Sequence, residues 1–123
     1  MARQAAHPAI DPALTRFAQV LRERLGARRV LLFGSRARGQ PRHDSDYDVI
    51  IVARQFVGVE PLRRAVGLRQ WWYEAGGDSP MDLICLTPEE FELARGRIGL
   101  VAAVLPEAVE LLPRAVAPTG GMS

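Results

Sequence analysis

Apolar residues fall along this chain in two rhythms, one near 3.6 residues and one of short continuous runs. Leu14, Phe17, Ala18, Leu21 and Leu25 recur at helical spacing. Asp11-Pro12 ahead of them reads as a cap followed by proline at the first helical position, and Gly26 closes the helix. Val30–Phe33 is continuous and apolar, which predicts a buried strand over Arg28–Phe33. Gly34, Gly39 and Pro41 mark a turn region over 34–44, and Tyr47–Ala53 predicts a second buried strand. Leu62, Ala65, Val66, Trp72 and Tyr73 give helical spacing over Glu60–Glu74, broken by Gly76–Pro80. Met81–Leu86 predicts a third strand. Thr87 and Glu90 fit a capping box, opening a helical region that is interrupted near Gly96 and Gly99 and continues over Ile98–Leu105 to Pro106. Ala108–Leu112 is a candidate last strand.

The order is helix, strand, strand, helix, strand, helix, then a further short strand. It predicts an α+β fold, a small mixed sheet of three to four strands with helices packed on it. The domain spans residues 11–112, with a loose N-terminus at 1–10 and a loose C-terminal tail at 113–123. There is no internal repeat.

At 123 residues the chain suits one small domain. Its net charge of +2 comes from sixteen basic and fourteen acidic residues, too small a balance to predict direct nucleic-acid binding. Every basic residue is arginine, so a cationic side chain that binds phosphate here is a planar fork suited to bidentate contact. Cys85, the single cysteine, lies in an apolar segment and reads as a buried small hydrophobe. No apolar run approaches the roughly 18 residues that span a bilayer, and the N-terminus lacks a signal-peptide core, so no membrane association and a cytoplasmic location are expected.

The chemistry gathers between residues 32 and 52, in LFGSRARGQPRHDSDYDVIIV. Asp46 and Asp48 lie two apart at the start of a strand, so both carboxylates project to one side. Two carboxylates facing the same way repel unless a cation lies between them, and hard oxygen donors suit Mg2+ or Mn2+. Asp82 interrupts the otherwise apolar Met81–Leu86 run; if that strand neighbours the Asp48 strand, it completes a cluster of three that can hold two ions. Gly34 permits a tight turn and close approach to a ligand, Ser35 offers a hydroxyl, and Arg36 or Arg38 offers charge for a polyphosphate. Carboxylates for metal, with amides and arginine for phosphate, suit a nucleoside triphosphate.

For several residues a bland role weighs against a chemical one. Asp44, Ser45 and His43 read as loop residues, and Arg63, Arg64 and Arg69 as a solvated helix face. Trp72 and Tyr73 fit the apolar stripe, whereas Trp71 falls off it near Leu68. Trp71 is then either a partner surface or is covered by the loop beyond Gly76.

Gly34-Ser35, then ten residues, then Asp46-Tyr47-Asp48 before an apolar strand resembles the signature of the DNA polymerase β-type nucleotidyltransferases. The nearest likeness is to the minimal nucleotidyltransferases, in the form Gly-Ser-Arg-Ala-Arg-Gly followed by Ser-Asp-Tyr-Asp, with Asp82 standing where the third carboxylate falls. The resemblance covers roughly residues 11–112. It implies a nucleotidyltransferase palm that moves AMP from ATP to an acceptor hydroxyl and releases pyrophosphate. It also implies two Mg2+ ions, with Mn2+ as the substitute, on Asp46, Asp48 and Asp82, and phosphates on Gly34, Ser35 and Arg36. Many such proteins resemble antitoxins paired with a helical HEPN-type ribonuclease toxin, whose tyrosine is the implied acceptor. The small size of the chain implies an acceptor site completed by a partner chain or a second subunit. The alternatives are a stoichiometric antitoxin or nucleotide-binding module with little catalysis, and a transferase for a small molecule or an RNA end.

Overall fold

The computed structural model describes residues 11–34, 37 and 46–112. Helix α1 covers Pro12–Leu25. The Asp11 side chain accepts from the Ala13 amide at its start, and Gly26 closes it in the left-handed region at φ 67°. Strand β1 (Ala27–Phe33) then runs antiparallel to β2 (Tyr47–Ala53), with Phe33 opposite Asp48. Strand β3 (Met81–Leu86) runs parallel to β2, and the two-residue β4 (Val109–Glu110) adds antiparallel to the far side of β1. The four-stranded mixed sheet has the order β3-β2-β1-β4. The α+β expectation holds, and the fourth strand falls inside the expected Ala108–Leu112.

Both faces of the sheet are covered, which is why its central strands are continuously apolar rather than alternating. One face packs Val30, Leu32, Val49 and Ile51 against Phe17 and Leu21 of α1 and Trp72 of α2 (Leu68–Glu74). Phe17 and Tyr47 both meet the Trp72 ring edge-on, at 5.7 and 5.2 Å between centroids, and the indole nitrogen donates to the Ser79 carbonyl. The other face packs Leu31, Phe33, Ile50 and Val52 against Phe91 of α3 (Pro88–Arg95) and Val101 of α4 (Leu100–Val104). The Thr87–Glu90 capping box is present in full.

Three expectations are corrected. The helix expected over Glu60–Glu74 is a 3-10 turn at Pro61–Arg63 and then α2 alone. Gly67 breaks it at φ 84°, and Leu62 and Val66 face solvent although their spacing is helical. Of the expected solvated face, Arg63 and Arg69 are exposed, but Arg64 is buried. The Tyr47 amide donates to the Pro80 carbonyl, so the alternate carbonyls of Met81 and Cys85 turn to the outer edge of β3. Arg69 donates to the first and Arg64 to the second. Arg64, only 8% exposed, also donates to the Val59 carbonyl and grips both carboxylate oxygens of Glu90. Tyr73 is half exposed rather than part of the buried stripe. Trp71 is partly buried against the core, with the Arg24 guanidinium 5.4 Å from its ring centroid. The loop beyond Gly76 covers Trp72 instead: a Cβ on Gly77 would lie 2.0 Å from its ring.

Cys85 is partly rather than fully buried. Burial raises its thiol to about 11 against the opposing pull of Arg64 and Arg69, which leaves it protonated and unreactive near neutrality.

Candidate active site

Asp48 has the parity of Ile50 and Val52, so it lies on the α3–α4 side of the sheet at the N-terminal end of β2. The parallel register sets Asp82 directly opposite it, two residues before Ile84 on that side. Asp46 stands just before β2. The expectation that the Met81–Leu86 strand neighbours the Asp48 strand is met, and the two strand carboxylates face one another through backbone register alone.

The electrostatics carry the mark of that grouping. The Asp48 carboxyl is raised above the ordinary aspartate range, first by burial and then by the charges of Asp82 and Asp46. Asp82 itself is exposed, so it is not the costly buried charge that its apolar neighbours suggest. Its exposure, as the second residue of an edge strand, explains why an acid is tolerated there.

Gly34 completes the described part of the site. It ends β1 beside Asp48, at φ 80°, and a Cβ there would lie 2.7 Å from Asp48 Oδ2. Both conditions require glycine, the left-handed backbone and the close carboxylate. The Ala37 amide donates to the Gly34 carbonyl and closes the turn. Ser35, Arg36, Arg38, His43, Asp44 and Ser45 lie outside the described residues.

Asp46, Asp48 and Asp82 make an open set of hard oxygen donors. Among the described residues no three Asp, Glu, His or Cys side chains close into a ready-made metal cage. Such a set fits a divalent cation that takes its remaining positions from water and phosphate oxygens, as Mg2+ does. It does not fit a fully protein-bound structural ion.

With the geometry in place, comparison with known proteins assigns the class. A family model described as the nucleotidyltransferase domain matches residues 14–114, and the chain belongs to that family. The protein adenylyltransferase MntA of Thermococcus cleftensis is 43% identical over 62 residues, 50% of this chain and 60% of that protein. The chain thus matches less than two thirds of that relative's length. A crystal structure from Sulfolobus solfataricus, assigned as a nucleotidyltransferase, aligns over 85% of this chain and 86% of its own at a TM-score of 0.49 and 20% identity. The fold is defined by the four-stranded sheet described above. No described helix is long and apolar enough to cross a membrane.

The residue that sequence reasoning missed is Arg64. Its signal was nonlocal: the Val59 carbonyl, one outward carbonyl on the edge strand, and a carboxylate at the next helix start.

Proposed function

We propose that the protein transfers AMP from ATP to a hydroxyl of an acceptor protein, and that the acceptor is a tyrosine of a HEPN-type toxin. The observation that carries the chemistry is the Asp48–Asp82 register with Asp46 alongside, in a chain of the nucleotidyltransferase family. The likeness to a relative named protein adenylyltransferase supports a protein as acceptor.

In this reading Asp46, Asp48 and Asp82 would hold Mg2+, or Mn2+ in its place. The metal, when bound, neutralises phosphate charge and lowers the pKa of an attached hydroxyl. Phosphoryl transfer of this kind asks the protein mainly for position and charge. Asp82, exposed on β3, would receive the acceptor proton. Gly34, Ser35 and Arg36 would take the β- and γ-phosphates, and the absent Cβ of Gly34 leaves the Asp48 carboxylate its room.

The test uses ATP labelled at the α-phosphate, with Mg2+ and host lysate, beside an Asp46→Asn/Asp48→Asn control. A labelled protein band that only the unmodified enzyme produces supports transfer, and its identity names the acceptor. No label from a folded protein would reject it in favour of a stoichiometric binding module.

A further inference from the structure

On the same side of the sheet as Asp48 and Asp82, α3, α4 and β3 enclose an open cleft of about 490 Å³. Its floor is Ile84, two residues beyond Asp82 on the same side of β3. At a strand rise of about 3.3 Å per residue, the cleft begins roughly 7 Å from the carboxylate. Its walls are Leu93, Ala94, Leu100 and Val101, and its rim carries Arg97 and Ile98. Ile98 stands fully in solvent, and Leu93 and Leu100 are more than half exposed.

A small ligand is held by concave walls, whereas Ile98 protrudes outward. Protruding aliphatic side chains around a cleft are the signature of a macromolecular partner. The mode of docking is also constrained. A strand cannot pair readily with the outer edge of β3, because Arg69 and Arg64 already occupy the Met81 and Cys85 carbonyls. A helix laid in the cleft needs no backbone pairing and supplies apolar side chains at i, i+3, i+4 and i+7. Charge narrows the choice further. Glu90 is committed to Arg64 and Arg95 pairs with Glu92, while Arg97 has no ion-pair partner among the described residues. An acidic flank on the incoming helix would complement it.

We propose that the α3–α4–β3 cleft docks an amphipathic, acid-flanked helix of the acceptor protein, next to the carboxylates that act on it. The proposal rests on the adenylyltransferase reading for what is docked, but its test does not need catalysis. A short labelled helical peptide with leucines on one face and glutamates beside them is titrated by fluorescence anisotropy, next to the same peptide with lysines for glutamates. The full chain should bind the acidic peptide in preference. Ile98→Glu should weaken binding at least about tenfold, Arg97→Glu should reverse the preference, and Asp48→Asn should bind as the unmodified chain does. Ile98 is exposed, so its substitution leaves the core intact.

No binding, or equal binding by the unmodified chain and Ile98→Glu, overturns the proposal. So does a dimer in sedimentation that Ile98→Glu dissolves, which would assign the cleft to a second copy. In the labelled-ATP assay, Ile98→Glu should lose transfer to the acceptor while keeping its thermal shift with Mg2+ and ATP. If the unmodified chain labels nothing yet binds the acidic peptide, the adenylyltransferase reading fails and the docking cleft stands.

Discussion

Replacing Asp48 with asparagine should make the protein more stable and inactive together. Asp48 faces Asp82 across the β2–β3 ladder, and its carboxyl is raised by burial first, then by Asp82 and Asp46. A raised folded pKa means the folded chain holds that proton more tightly than the unfolded chain. As pH rises from the ordinary aspartate value through the raised one, stability therefore falls, and it stays at the lower level above. Asparagine keeps the shape and removes the charge. Cross-strand pairs are worth roughly 0.2–1 kcal/mol when favourable, and like charges directly opposite are destabilising on that scale. Asp82 is exposed and Asp48 only partly buried, so solvent screening holds the cost near the middle of that range.

Asp48→Asn should thus gain about 0.5 kcal/mol at neutral pH, or about 2–4 °C in Tm for a domain of this size. The gain should vanish below the ordinary aspartate range, where the native side chain is itself neutral. Thermal melts in chelator across a pH series measure this directly. Adding Mg2+ should reverse the order, because the ion stabilises only the chain that binds it. If Asp48→Asn melts below the unmodified chain in chelator at neutral pH, the Asp48 charge is favourable without metal. The reasoning about a repelling carboxylate group would then be refuted.

Other substitutions probe the surrounding framework. Gly34→Ala meets both a left-handed backbone and Asp48 Oδ2 at 2.7 Å. It should cost about 1–2 kcal/mol in urea unfolding, and AMP transfer should fall further than stability because the carboxylate must move. Arg64→Met leaves the Val59 and Cys85 carbonyls without their donor and should cost about 2–3 kcal/mol by the same assay. Glu90 is held below the ordinary glutamate range by hydrogen bonds from Arg64 first and the Thr87 amide second. Its contribution is present at neutral pH and lost as pH falls through that lowered pKa, so Glu90→Gln should flatten the acid limb of a stability profile. Gly77→Ala drives a methyl to 2.0 Å from the fully buried Trp72 ring. It should lose about 1–3 kcal/mol and alter the near-ultraviolet circular dichroism of that tryptophan.

The layout of the candidate site was legible because its parts are local and ordered. Asp46 and Asp48 are two apart at the start of an apolar strand, Gly34 follows the strand before it, and Asp82 is the second residue of the next apolar strand. Only the pairing of β2 with β3 had to be supplied by the fold, and the register then set the carboxylates opposite each other. What misled were residues whose environment is made by distant chain. Leu62 and Val66 carry helical spacing, but spacing is a necessary condition for a buried face and not a sufficient one. Gly67 turns the chain at φ 84°, and the two side chains are left in solvent. Asp82 has apolar neighbours yet is exposed, because it stands on an edge strand with no further strand beside it.

Arg64 shows the same point most sharply. Nothing within several residues of it predicts burial, and its arginine neighbours suggest a solvated face. Yet the outer edge of β3 presents carbonyls that no strand takes, and an uncovered edge invites pairing with another chain. A guanidinium carries five donors in a fixed fork, enough for two carbonyls and a carboxylate together. Arg64 fills that role and also ties the edge to Glu90 at the start of α3. The strand that bears Asp82 is therefore held on one side by β2 and on the other by arginine side chains. Those side chains occupy two outward carbonyls of that edge, while the α3–α4 cleft lies open on the face of the sheet that bears Asp48 and Asp82.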